Sequence, residues 1–143
     1  TEREYEKQYN SQAESYYLFL SGAAGTGKSF LMRVLMEATK FINVKAGREL
    51  NKPTILAMAP TANSAYILKD AKTIDSALCL SRDSNYVKLS GSRESTLKFL
   101  YEDVSTVFID EISLVGSKKM SKINLRFQDI ANSENKHEFM GGK

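Results

Sequence analysis

Between an apolar run, YYLFL (Tyr16 to Leu20), and a segment with helical spacing lies GAAGTGKS, from Gly22 to Ser29. This spacing, G-x-x-x-x-G-K-[ST], tightly constrains the fold, because it works only at a turn leaving a strand and opening a helix. A triphosphate packs several negative oxygens into a small volume. Backbone N–H groups can surround it only where side chains do not block the approach, and Gly22, Ala23, Ala24, Gly25, Thr26 and Gly27 keep that approach open. The helix that follows aims its positive end at the same point, so the amides of Lys28, Ser29 and Phe30 join the cradle. Lys28 is expected to reach the β and γ oxygens, and the Ser29 hydroxyl to ligate Mg²⁺. The alternative is a glycine-rich turn with an exposed lysine.

A phosphate loop needs a carboxylate at the end of another strand. VFIDE supplies one: Asp110 follows three apolar residues and is expected to orient Mg²⁺. Glu111 comes next, where a base or water-positioning group serves hydrolysis. A kinase must exclude water, so Glu111 favours an NTPase. Without the loop, the two acids would read simply as the start of a turn.

The rest of the chain alternates strand and helix signals. TILAMA (Thr54 to Ala59) and STVFID (Ser105 to Asp110) join YYLFL as short strands expected to be buried on both faces. After Ser29, Leu31, Val34, Leu35 and Ala38 fall on one helical face. TANSAYILKDA reads as a short helix, LKFLYEDV as another, and SKKMSKINLRFQDIA as a long amphipathic one with Met120, Ile123, Leu125, Phe127 and Ile130 apolar. The Ser-rich stretch SRDSNYVKLSGSREST reads as a mobile insertion. This order predicts an α/β domain, a P-loop NTPase with a parallel sheet flanked by helices.

Residues 1–15 read as a polar lead-in and residues 16–143 as one incomplete domain, since 143 residues suffice for one core. The first residue, Thr1, and the final MGGK suggest a piece of a longer protein. A net charge of +3 is compatible with a polyanionic partner without requiring one. The single cysteine, Cys79, excludes an internal disulfide and reads as a buried small hydrophobe. No apolar run has the length of a membrane span. Lys118, Lys119 and Lys122 read as a solvated face, His137 as a non-catalytic tail residue, and Tyr66 as core packing rather than a base-stacking surface.

Two further segments carry a resemblance. LAMAPTANSAYILKDAKTIDSAL and FIDEISLVGSKKMSKINLRFQDI, with Asp110, Glu111, Ile112, Ser113, Arg126 and Ile130 in matching places, resemble superfamily-one helicases of the Pif-like (petite-integration-frequency) group. GAAGTGKS has the form usual there. The resemblance implies the first RecA-like domain of an ATP- and Mg²⁺-dependent enzyme that moves on single-stranded DNA and unwinds duplexes. A second RecA-like domain of the parent chain would complete the ATP cleft. It also implies backbone contacts to the strand through Pro60 and Thr61, with Asn63 as a neighbour, and an intracellular setting, the nucleus or mitochondrion in a eukaryote. Repair, recombination and telomere roles belong to the family at large. Where relatives carry T-x-H-S, this chain has TIDS, and Asp75 would repel a phosphate unless it faces elsewhere. Gln8 and Gln12 are weak candidates for the family's adenine-reading glutamine. Against this reading stand a P-loop kinase and a non-catalytic nucleotide-binding remnant of a mobile-element helicase.

Overall fold

The segment ILAMA forms the central strand because every one of its side chains finds cover. In the computed structural model, which describes residues 15–48, 51–131 and 134–143, β1 (Ile55–Ala59) is buried at all five positions. Residues 1–14 of the expected lead-in at residues 1–15, with Gln8 and Gln12 among them, lie outside the described residues. Parallel neighbours flank β1: β2 (Lys72–Thr73) on one edge and β3 (Thr106–Ile109) on the other, in the order β2-β1-β3. The register sets Ile55 opposite Thr106 and Met58 opposite Ile109. Two further backbone bonds, Ser105 N–H to the Thr54 carbonyl and Asp110 N–H to the Met58 carbonyl, each 2.9 Å, extend that ladder.

Alternation along β1 divides the core in two. Ile55 and Ala57 face α1 (Lys28–Lys45) and α2 (Ala62–Leu68), where Met36 and Leu68 close one layer. Leu56 and Met58 face the opposite layer. That layer is built from α3 (Ile74–Ala77), α4 (Gly91–Tyr101) and α5 (Ser117–Ile130), and Ile74, Leu97, Tyr101, Ile123 and Phe127 fill it. Burying a side chain such as Phe127, which is fully covered, contributes about 1.5–3 kcal/mol. On α5 the spacing of Met120, Ile123, Phe127 and Ile130 makes one inward stripe, while Leu125 points off it and is exposed. No helix among the described residues is long and apolar enough to cross a membrane.

Several expectations fail here, each for lack of a neighbour. Tyr16 to Leu20 is not a strand. It runs as irregular chain with Tyr16, Leu18 and Phe19 each more than 70% exposed. A strand buried on both faces needs a partner along its hydrogen-bonding edge, and no strand among the described residues supplies one. The segment instead touches the far end of the chain: Ser15 donates to the Gly142 carbonyl (3.1 Å), Tyr17 donates to that of Phe139 (3.2 Å), and their rings meet edge to face. β3 is half-buried at all four positions rather than buried, because β1 covers only one of its edges. The buried side of α1 is Met36 and Asn43 with Met32 beside them, about a third of a turn from the expected Leu31–Val34–Leu35–Ala38 face. Leu31, Val34 and Ala38 on that face are exposed and Leu35 is half-buried. This helix is apolar on two sides, and the sheet covers one.

The Ser-rich stretch is not a free insertion. Its second half is already α4, and residues 81–90 are tied down along α5. Lys122 donates to the Asp83 carbonyl and Tyr86 donates to the Asp129 carboxylate. After α5 the chain turns back in a short 3₁₀ turn (Phe139–Gly142), where Met140 is buried and its N–H donates to Asn124 Oδ1 at 2.8 Å.

Candidate functional site

The loop from Gly22 to Gly27 makes its bend with left-handed backbone at Gly25 (φ +77°) and Gly27 (φ +86°), which glycine adopts without steric cost. Thr26 Oγ1 donates to the Ala23 carbonyl at 2.8 Å. α1 begins at Lys28, with Gly27 as its cap residue, no capping side chain and no acid in the first turn. Among the described residues no side-chain hydrogen bond caps this helix start, the arrangement that favours an anion. Lys28 curls back over the bend, and its ammonium donates to the carbonyls of Gly22 (2.8 Å) and Ala23 (2.7 Å). Ser29 is half-buried beside it, whereas the Phe30 ring is exposed, so Phe30 offers the loop only its amide.

Asp110 and Glu111 stand at the C-terminal end of β3. The backbone of Asp110 is fixed by its bond to Met58, and its carboxylate accepts from the Glu111 N–H at 2.9 Å. Glu111 has φ +50°, an uncommon conformation for a residue with a Cβ. Its side chain is exposed, and Oε2 accepts from Ser64 Oγ at 2.5 Å. Among the described residues, no hydrogen bond or ion pair joins the loop to the two acids; each group has its own set of partners.

The turn after β1 lies at the same edge of the sheet. Pro60 ends β1 and Thr61 caps α2, its Oγ1 accepting from the Ser64 N–H at 3.1 Å. Thr61 Oγ1 and Ser64 Oγ are also 2.7 Å apart. Thr61 and Asn63 are exposed and Pro60 is half-buried, so the turn presents a hydroxyl and an amide to solvent. Thus the structure brings a residue expected at the strand contact, Thr61, within two hydrogen bonds of a residue expected at the chemistry, Glu111. Sequence reading missed the link, Ser64, although T-x-x-S at a helix start is a visible capping signature.

Asp75 does not confront this turn as a bare charge. It sits in the first turn of α3, and Lys119 pairs with it at 2.5 Å. Of the three clustered lysines, then, Lys119 is committed to Asp75 and Lys122 to a backbone carbonyl. Tyr66 is 87% exposed, opposite to the expected core packing, because it lies on the face of α2 turned away from Leu68 and Ala65.

Arg126 is the largest buried side chain, at 1% exposure. Its Nε donates to the Leu78 carbonyl (2.9 Å) and one Nη2 serves those of Val87 (2.9 Å) and Cys79 (3.4 Å), while the guanidinium lies over the Tyr86 ring. Burial and the bond to Asp129 push the Tyr86 hydroxyl pKa well up. These bonds hold Cys79 in left-handed backbone (φ +49°) with its side chain exposed, so the expectation of a buried thiol is wrong. A left-handed residue between buried Leu78 and Leu80 turns outward, which apolar patterning alone does not reveal.

The sequence model of the PIF1-like helicases matches residues 4–143. A curated relative, the ATP-dependent DNA helicase Pif1 of Campylobacter jejuni subsp. jejuni serotype O:2, is 32% identical over 120 residues, covering 78% of this chain and 25% of that protein. Among solved structures, that of a Bacteroides Pif1 bound to ssDNA superposes with a TM-score of 0.64 at 20% identity. It covers 99% of this chain and 30% of the other. The chain therefore spans roughly a quarter to a third of the length of these relatives. At that identity the superposition shows a shared fold, and it agrees with the expected incomplete P-loop NTPase domain.

Proposed function

The chain belongs to the PIF1-like helicase family, and on that premise we propose that it is the nucleotide-binding part of an ATP-dependent DNA helicase. The observation that carries this reading is the uncapped start of α1 behind a glycine bend, with the Lys28 ammonium folded over it. The loop carbonyls that now accept from Lys28 are neutral. Phosphate oxygens are charged and would compete for the same ammonium. Ser29 and Asp110 offer a hydroxyl and a carboxylate, an all-oxygen donor pair suited to Mg²⁺. Bound there, the metal would neutralise charge on the transferring phosphate. Glu111 would position the attacking water. Pro60, Thr61 and Asn63 would meet the backbone of single-stranded DNA through polar groups that read no base. The partner completing the ATP cleft would be a second RecA-like domain of the same parent protein.

Calorimetric titration with Mg-ATP tests the reading. Lys28→Ala removes a charged hydrogen bond to phosphate, about 1.5–3 kcal/mol, and should weaken binding about tenfold to a hundredfold. Ser29→Ala leaves the loop's own bonds intact and should remove the dependence of binding on Mg²⁺. Unchanged affinity in both variants would show that the loop does not hold the nucleotide.

A further inference from the structure

We propose that Ser64 is a positioning residue for Glu111, and that through it the Thr61 hydroxyl reports a bound nucleic-acid phosphate to the acid. The inference rests on the strand-binding role proposed for Thr61, and it follows from counting hydrogens. An ionised carboxylate only accepts, so the 2.5 Å contact between Ser64 Oγ and Glu111 Oε2 uses the one hydroxyl hydrogen of Ser64. The 2.7 Å contact between Ser64 Oγ and Thr61 Oγ1 must then use the hydrogen of Thr61. Thr61 Oγ1 in turn accepts the Ser64 N–H. The chain therefore has one direction: Thr61 donates to Ser64, and Ser64 donates to Glu111.

This polarity has a chemical consequence. Thr61 has a single hydrogen, and a phosphate oxygen, like a carboxylate, can only accept it. When Thr61 donates to a phosphate it stops donating to Ser64. Ser64 then loses the bond that polarises its own O–H, and its hold on Glu111 weakens, since hydrogen bonds in series strengthen one another. Ser64 is 5% exposed and sits in the first turn of α2, so it cannot follow the strand itself. Glu111 is pinned at its backbone by Asp110 and by the bond from Leu114 N–H to its carbonyl, leaving the side chain as the part free to respond. Without a strand Ser64 restrains the carboxylate; with one, the restraint is relaxed and the acid can turn to orient water.

The test is carbon NMR of the side-chain carboxyls, with a single-stranded oligothymidylate as the probe and its binding followed separately by fluorescence anisotropy. Ser64→Ala should move the Glu111 carboxyl signal in the absence of oligonucleotide while that of Asp110 stays in place. An unmoved Glu111 signal overturns the positioning role. In the unmodified chain, saturating oligonucleotide should move the Glu111 signal toward its Ser64→Ala position. Thr61→Val should weaken binding about tenfold and abolish that movement even at saturation. Oligonucleotide that binds without moving the Glu111 signal overturns the relay and leaves the strand site standing. Oligonucleotide that does not bind overturns the strand site and the relay with it, while the Ser64→Ala shift still reports on the Glu111 contact alone.

Discussion

Replacing Arg126 by methionine should cost the fold about 3–4 kcal/mol. The guanidinium makes two good bonds, to the Leu78 and Val87 carbonyls at 2.9 Å, and a longer one to Cys79. Hydrogen bonds from a charged donor contribute about 1.5–3 kcal/mol each, and their loss leaves carbonyls without a partner. Part of this is offset. Among the described residues Arg126 Nη1 is buried without a hydrogen-bond partner, and it lies 3.9 Å from Asp129, so removing the charge also removes a desolvation cost. Methionine fills most of the volume, which keeps the cavity small. A net loss of that size is a large part of the roughly 5–15 kcal/mol that holds a domain together. Arg126→Lys should recover less than half, because one ammonium cannot reach carbonyls on both sides of the loop. Urea unfolding followed by circular dichroism gives the global value, and amide exchange of residues 78–90 the local one. A methionine variant within about 1 kcal/mol of the original, with unchanged exchange in those residues, would refute the idea that Arg126 holds the loop.

Two further outcomes are expected. Tyr101 is buried and donates to the Ala77 carbonyl at 2.8 Å, and burial raises its pKa to about 12. Between the ordinary value of about 10 and that raised value, the unfolded chain loses the proton and the folded chain keeps it. Stability from this group is therefore whole below pH ~10 and falls as pH rises toward ~12. Tyr101→Phe should cost about 1 kcal/mol at neutral pH, and urea midpoints should show that deficit closing as pH passes about 10; a constant deficit would contradict the assignment. Gly141 has φ +63°, and a Cβ there would lie 2.7 Å from Ala131 Cβ and 2.8 Å from the Phe127 carbonyl oxygen. Gly141→Ala should destabilise by about 2 kcal/mol or more, whereas Gly116→Ala, with open space and ordinary φ, should stay within about 0.5 kcal/mol. Equal melting shifts would mean that the C-terminal turn does not dock on α5.

What could be read in the sequence was whatever depends on one segment's own chemistry. GAAGTGKS makes a glycine bend that opens a helix, and Gly25 and Gly27 take left-handed backbone in it. ILAMA is buried because an unbroken apolar run cannot face water on either side. The α5 stripe follows from its spacing, except at Leu125. What could not be read depends on a second segment being present to cover the first. YYLFL and the Leu31 face of α1 are apolar enough to be buried, and pattern alone says only that they prefer cover. Cys79 escapes prediction for a different reason: its direction is set by Arg126, 47 residues away.

The link between Thr61 and Glu111 lies between these cases. T-x-x-S is a local pattern, and its Thr61 caps α2. Nothing local says that the second hydroxyl also faces an acid 47 residues later. The parallel register supplies it. Pairing Met58 with Ile109 places the residues after β1 and those after β3 at one edge of the sheet, where open parallel sheets collect their ligands. The bond from Asp110 N–H to the Met58 carbonyl then fixes the second strand end against the first. One register shift would reverse the faces of β3 and carry Glu111 away from Ser64. A contact between the expected strand turn and the expected catalytic acid is therefore a consequence of β1 and β3 being neighbours, and the same two strands hold the core together.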